Sequence, residues 1–239
     1  MHWFRGRIGL IITSSNTTME PEFWLLFSSN GVSIHSARLH LENVDAASLR
    51  RMARRAAEAA ELLATADVDV IVYGCTTGSL VGGIGFDEKI TETVRKASGR
   101  PAIATATAVI NALKQLKAYR VAIATPYIDE LNRLEKEFLE GHGFEVVDVK
   151  GLGILDNREI GRLPAWRVYR LARSVNTSRA DALFLSCTNM PTLSIIDALE
   201  RDLGIPVISS NTASAWAAAR LMGIKPSFTT GGMLLRELP

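Results

Sequence analysis

Cysteine is scarce in this chain: 239 residues contain two, Cys75 and Cys187. Two thiols 112 positions apart (187 − 75) make neither a disulfide framework nor a CxxC redox or zinc pattern. Free thiols point to reducing surroundings, and a cytoplasmic location is the expectation. Histidine is almost as rare. His2, His35, His40 and His142 show no metal-ligand spacing, and strand or turn positions are expected for them. No apolar run approaches the roughly 20 residues that a membrane helix needs. The run Ile8 to Ile12, after Arg5 and Arg7, gives way to Thr13-Ser14-Ser15-Asn16 too soon for a secretion signal. Neither sign of charge dominates. With 27 basic and 25 acidic residues the formal net charge is +2, which gives no electrostatic basis for binding nucleic acid or an anionic membrane. Gly82-Gly83-Ile84-Gly85 lacks both a following Lys-Ser/Thr and a complete GxGxxG, so a flexible loop is expected rather than a phosphate cradle. No linker or low-complexity tract interrupts the pattern.

What the chain does have is a full core and a duplicated plan. Hydrophobic residues make up 47%, enough to bury the interior of one large domain or of two. The stretch Val68 to Ser79 reads as a buried strand that stops at Cys75, followed by small hydroxyl residues, and Ala180 to Pro191 repeats it around Cys187. Other landmarks keep a similar separation. Arg120 to Thr125 follows Arg7 to Ile12 by 113 (120 − 7), Gly143 follows Gly31 by 112 (143 − 31), and Ile205 to Ser210 follows Arg100 to Thr105 by 105 (205 − 100). That period is far too long for a solenoid repeat. Between the strands lie helical patterns. A short helix opens at Thr18 or Glu20 with Pro21 in its first turn, and a long one capped by Asp45 runs Ala46 to Thr65. Its Leu49, Met52, Ala56, Ala59, Ala60 and Leu63 share one face. A third is capped by Asp87 and carries Ile90, Val94 and Ala97, and a fourth covers Thr107 to Leu116. Cys75 to Gly85 is expected as loop.

Alternating strands and helices call for parallel sheets. The expected fold is therefore α/β, with two pseudo-symmetric four-stranded parallel-sheet lobes, flanking helices and an active site in the cleft between them. The first lobe spans residues 1–117 and carries Cys75. The second spans 118–239 and carries Cys187, its last segments free to cross between lobes.

A lone buried cysteine is usually a small hydrophobe. Two in matched positions, each where a parallel strand ends, are different, because ligands gather at the carboxyl edge of such sheets. Successive amides there form a concavity expected to lower thiol pKa and to hold carboxylate oxygens. Facing thiols can then exchange donor and acceptor roles across one small substrate. Read singly, Asn16 suits a helix cap, Tyr127 turn packing and Asn157 a turn. The run Arg158, Arg162, Arg167, Arg170 and Arg173 suits a solvated helix face. The tryptophans suit packing or a subunit surface.

Several motifs together resemble one family. Ile8 to Glu20 resembles the opening of maleate cis-trans isomerases, a branch of the aspartate/glutamate racemase superfamily. Gly74-Cys75-Thr76-Thr77 is similar to its first cysteine loop and Thr125-Pro126-Tyr127 to its tyrosine turn. Asp156 to Arg162 is similar to its asparagine motif, and Ser186-Cys187-Thr188-Asn189 to its second cysteine loop. Thr13 stands where the family often has Pro, a departure that touches a pocket wall.

The resemblance implies cofactor-independent isomerisation of maleate to fumarate. Cys75 would add as thiolate to an alkene carbon, rotation would follow, and Cys187 would act as proton donor from the opposite side. Asn16, Tyr127 and Asn157 would bind the carboxylates, helped by Thr76, Thr77, Thr188 and Asn189. Donors aimed at developing charge contribute about 3 kcal/mol each. No metal or organic cofactor is implied; the partner would be a small dicarboxylate, and assembly a homodimer or larger homo-oligomer. Three alternatives stand beside this reading. An amino-acid racemase would use both thiols as bases and need a partner for the substrate ammonium. An arylmalonate-type decarboxylase works with the second cysteine alone, against which Cys75 argues. A two-lobed organic-acid binding protein would leave its ligand unchanged.

Overall fold

A computed structural model describes residues 5–236. The first half runs β1 (Gly6–Thr13), α1 (Met19–Phe27), β2 (Val32–Leu39), α2 (Ala46–Ala53), α3 (Ala56–Ala64), β3 (Val70–Gly74), α4 (Thr76–Leu80), α5 (Phe86–Ser98), β4 (Ala102–Ala104) and α6 (Thr105–Gln115). The second half runs β5 (Arg120–Thr125), α7 (Asp129–Gly141), β6 (Glu145–Gly151), α8 (Asn157–Gly161), α9 (Ala165–Ser174), β7 (Ala182–Leu185), α10 (Leu193–Leu203), β8 (Val207–Ser209), α11 (Ser210–Leu221) and α12 (Gly232–Arg236).

The strands form two four-stranded sheets, β2-β1-β3-β4 and β6-β5-β7-β8, with every neighbouring pair parallel. The two orders are the same once the second half is renumbered, as the repeated landmarks predict. Helices cover both faces of each sheet, so the inner strands β1, β3, β5 and β7 read as near-continuous apolar runs and alternate in which layer they feed. Ile8, Leu10 and Ile12 of β1, with Val121 and Ile123 of β5, join one cluster that includes residues of α1, α6, α7 and α11. Ile11, Ile71, Ala122 and Leu183 face the other way, into a cluster that includes residues of α2, α3, α5, α9 and α10. In the first cluster α11 packs along α6 and also reaches β3 and β4.

Several sequence expectations change in detail. The helix expected over Ala46 to Thr65 breaks at Arg54-Arg55, where the Arg55 amide closes onto the Met52 carbonyl. All six residues assigned to its apolar face are buried nonetheless. The break lets α2 lie against α4 while α3 lies against α5 and β2, two surfaces that one straight rod does not follow. Asp45 does cap α2, accepting from the Ser48 amide at 2.8 Å. Asp87 does not cap α5. Gly85, at φ +80°, precedes that helix, and Asp87 sits inside its first turn accepting from the Thr107 hydroxyl at 2.6 Å. The segment expected as loop after Cys75 contains the five-residue α4.

The arginines of Arg158 to Arg173 are exposed along α8 and α9, the solvated face expected of them. Trp216 packs in the core, Trp24 and Trp166 are exposed, and Trp3 and His2 lie outside the described residues. His35 lies in β2, His40 just after it, and His142 at the end of α7. No helix among the described residues is long and apolar enough to cross a membrane.

Candidate active site

Because all strands of each sheet run parallel, the loops that follow β1, β3, β5 and β7 leave the carboxyl edges of their sheets. Those four loops, with the start of α8, carry every site residue the sequence suggests.

Cys75 follows β3 directly and is the extended residue (φ −148°, ψ 111°) from which α4 begins. The Gly78 amide and the Thr77 hydroxyl lie near enough to its sulfur to favour negative charge there. The approach is close: a Cβ on Gly78 would stand 2.8 Å from Cys75 Sγ and 2.9 Å from Met52 Cε, so this turn of α4 requires glycine. Cys187 follows Ser186 after β7 and has φ +136°, a left-handed conformation rare for a residue with a side chain. Backbone strain of this kind persists only where surrounding bonds hold it. Here the Cys187 amide donates to Ser210 Oγ at 3.0 Å, its sulfur accepts from the Asn189 amide at 3.3 Å, and its carbonyl accepts from the Met190 amide at 3.3 Å. The Tyr127 hydroxyl lies near enough to favour charge on that sulfur.

The remaining residues join the two loops into one network. Asn16 is a helix cap and a bridge at once. Its Oδ1 accepts from the Thr18 and Met19 amides at 2.9 and 3.0 Å, and its Nδ2 donates across the lobes to Thr188 Oγ1 at 3.1 Å. Thr188 in turn donates to the Gly74 carbonyl. Asn157 donates to Thr13 Oγ1 at 3.2 Å and Ser15 Oγ at 2.8 Å, so the departure at Thr13 is a hydrogen-bonding one. Asn189 is a clasp between lobes: its side chain accepts from the Thr17 amide at 2.8 Å and donates to the Asn157 carbonyl at 2.7 Å. Thr76 donates to Ser210 Oγ at 2.7 Å, which links the first cysteine loop to the amide of Cys187.

Burial reverses one expectation. Nearby amides do favour charge on both sulfurs, yet desolvation outweighs them and pushes the Cys75 thiol up to about 12 and the Cys187 thiol up to about 11. The two are 6% and 5% exposed and close enough that charge on Cys187 disfavours charge on Cys75. Both therefore rest as neutral thiols, and Tyr127 as a neutral phenol, its pKa also raised by burial. Among the described residues no group of three or more His, Cys, Asp or Glu side chains is placed to hold a metal ion.

A model of the arylmalonate decarboxylase family matches residues 8–235. The chain belongs to that family. It is 35% identical to the maleate isomerase of Nocardia farcinica, over 97% of this chain and 96% of that one. Among solved structures it resembles a Cys→Ala variant of the maleate isomerase Iso from Pseudomonas putida S16 with maleate, with a TM-score of 0.95 at 30% identity over 98% of this chain and 99% of that one. It also resembles a Cys→Ser variant of the Nocardia farcinica maleate cis-trans isomerase that carries a covalently bound succinylcysteine intermediate. That match has a TM-score of 0.94 at 33% identity, over 97% and 98% of the two chains.

Sequence reasoning missed a second tier of polar residues. Ser210 and Asn211 begin α11, and Ser79 lies in α4; all three are fully buried. The polar string Ser209-Ser210-Asn211-Thr212 at the end of β8 was the available signal, since it stands at the same sheet edge as the cysteine loops. Two buried acids were also missed. Glu22 of α1 accepts from the Thr192 and Leu193 amides and from Asn211 Nδ2 at 2.7–2.9 Å. Glu135 of α7 accepts from the Ser186 hydroxyl.

Proposed function

We propose that this chain interconverts maleate and fumarate without a cofactor, through covalent addition of Cys75. The observation that carries the reading is the pairing of Cys75 and Cys187 on facing loops of two duplicated sheets. The succinylcysteine held by the 33%-identical Nocardia farcinica neighbour supports it. In this reading Cys75 passes its proton to a carboxylate of the entering substrate, which hands it back to that sulfur as product leaves, and the sulfur forms a bond to one alkene carbon. The alkene electron pair moves to the adjacent carbon, where charge spreads onto the attached carboxylate. That carbon takes the proton of Cys187, leaving a succinyl thioether on Cys75 and a thiolate on Cys187. Rotation about the new single bond follows. Cys187 then removes a proton from the same carbon, the alkene re-forms, and the Cys75–carbon bond breaks to release fumarate.

The network suits that sequence. Gly78 N–H and Thr77 stabilise negative sulfur at Cys75, and Tyr127 with the Asn189 and Met190 amides does so at Cys187. Asn16, Tyr127, Asn157, Thr76, Thr77 and Thr188 are the groups assigned to the substrate carboxylates. Asn189 contributes its amide, since its side chain is committed to joining the lobes. An amino-acid racemase would need an acid facing the substrate ammonium, and Glu135, the buried acid beside the second cysteine loop, is turned to Ser186 instead. Assembly into a homo-oligomer is part of the same proposal and is read by sedimentation velocity.

The test is a paired incubation in deuterated water, with maleate in one arm and L-aspartate in the other. Fumarate from maleate, with no deuterium entering the aspartate α-carbon, is the expected result. Deuterated aspartate without fumarate would refute the isomerase reading. Cys75→Ala is expected to abolish turnover while leaving the circular dichroism spectrum unchanged, and full activity in that variant refutes the nucleophile assignment.

A further inference from the structure

The mechanism above leaves Glu135 unused, and its surroundings are unusual for a carboxyl. It is 1% exposed, lies on α7, and accepts one hydrogen bond, from Ser186 Oγ at 2.5 Å. Its second oxygen, Oε2, is buried with no partner. The small cavity beside it is lined by Thr76, Leu80, Ala106 and Phe184 among others, and no second charged group faces it there.

The duplicated half shows what is missing. Glu22 precedes Glu135 by 113 positions (135 − 22), the separation of the β1 and β5 strands, and each sits on the helix that follows its strand. Glu22 is fully satisfied, and one of its donors is Asn211, the second residue of α11. The second residue of α6 is Ala106, 105 positions earlier (211 − 106), and it lines the Glu135 cavity. Where one half supplies a side-chain amide, the other supplies a methyl group. Conversely, Ser186 stands where the first half has Gly74, so the one bond Glu135 does make ties it to the residue before Cys187.

We propose that Glu135 is a positioning residue for the proton of Cys187: anchored on Ser186 from behind the second cysteine loop, its carboxylate opposes charge on that sulfur and keeps Cys187 the acid of the pair. What the held proton is used for rests on the isomerase reading; that it is held does not. Once Cys187 has given its proton to the substrate carbon, the same carboxylate makes the thiolate more basic. That favours return of the proton to sulfur as the Cys75–carbon bond breaks. Burial places Glu135 near pH 7, so the bias switches on across neutrality. The other ionisable groups that bear on the two thiols are Tyr127, Tyr73 beside Cys75 and the thiols themselves, while Glu22 is turned to α10 and α11.

The experiment is alkylation of the unsubstituted protein and of Glu135→Gln by iodoacetamide between pH 5.5 and 9, with Cys187 followed by peptide-resolved mass spectrometry. A thiol that titrates alone gives a logarithmic rate rising with unit slope below its pKa. Coupling to a second acid bends that line where the acid ionises. The unsubstituted protein is expected to flatten near pH 7 and then resume. Glu135→Gln is expected to give one unbroken slope and alkylation about tenfold faster at pH 8, the effect of roughly one pKa unit from a neighbouring charge. A line without a bend in the unsubstituted protein overturns the proposal, as does a bend that persists in Glu135→Gln. Should Glu135→Gln fail to fold, Ser186→Ala removes the bond that lowers the acid's pKa. The bend then moves to higher pH, and a bend that stays in place is equally fatal. Turnover of maleate is measured on the same samples. Its absence with the bend present refutes the isomerase reading alone, and its presence without the bend refutes the role of Glu135 alone.

Discussion

Replacing Glu135 by glutamine also changes how stability depends on pH. Folding moves this carboxyl from an ordinary value of 4.5 to about 7, because burial opposes its charge more than the Ser186 hydroxyl supports it. Between those values the folded protein holds a proton that the unfolded chain has released. The folded state therefore binds more protons in that window, and stability falls as pH rises through it. The full shift, about 2.5 pH units at 1.36 kcal/mol per unit, corresponds to about 3 kcal/mol. Since the group is 1% exposed, solvent screening takes little from that figure. Glutamine keeps the oxygen that accepts from Ser186 and cannot ionise, so the variant loses this dependence.

Urea unfolding of both proteins at pH 5, 6, 7 and 8 reads the difference. Every other titrating group is common to the two, Glu22 and the salt-bridged Asp156, Asp181 and Asp197 included, and cancels in the comparison. Relative to the unsubstituted chain, Glu135→Gln is expected to gain about 2–3 kcal/mol between pH 5 and pH 8, most of it before pH 7. A difference that stays constant across the four pH values would falsify the raised pKa.

Glu22 offers the contrasting case. Glu22→Ala strands the Thr192 and Leu193 amides and the Asn211 side chain in the interior, and is expected to cost roughly 3 kcal/mol or more, measured as a lower urea midpoint at pH 7. A cost within 0.5 kcal/mol, the range of an ordinary surface change, refutes that accounting. Gly78→Ala places a methyl group 2.8 Å from Cys75 Sγ, so the sulfur must turn aside; turnover is expected to fall by more than about tenfold with little change in Tm. Retained activity there means that α4 yields instead of the thiol.

The duplicated plan was legible in the sequence because strand ends and the residues after them keep their spacing. Arg120 to Thr125 is β5 residue for residue, and both cysteines fall just past the ends of β3 and β7. What stayed hidden depends on packing between segments distant in sequence. The break at Arg54-Arg55 carries no Gly or Pro, and arises because α2 and α3 follow different surfaces. Thr76-Thr77-Gly78-Ser79-Leu80 has the hydroxyl residues and glycine of a loop, with propensities too poor to announce the helix it forms. Glu135 lies in Leu134-Glu135-Lys136-Glu137, which reads as a solvated helix face; only the docking of α7 beneath Ser186 buries it. The thiol pKa expectation failed for the same reason, since spacing reveals the amides near a sulfur but not the water removed from it.

Duplication alone would give a symmetric site, and a symmetric pair of thiols has no reason to divide labour between nucleophile and acid. The pKa values of the two sulfurs, about 12 and about 11, do not divide it either, because burial dominates both. In the proposed reaction that division has to come from positions where the halves diverged. Ser186 against Gly74 and Asn211 against Ala106 are two such positions, and both act on the same pair of buried acids. One glutamate is saturated with donors, including the amides at the start of α10, which disperse its charge. The other keeps one donor and one bare oxygen, and that donor belongs to the residue beside Cys187. An Ala106→Asn substitution that folds therefore carries a specific expectation: it gives Glu135 the donor that Glu22 already has, lowers the pH at which Glu135 ionises, and moves the bend in Cys187 alkylation below neutrality. A bend that does not move would separate the carboxyl from the thiol and leave the asymmetry of the site to some other pair of residues.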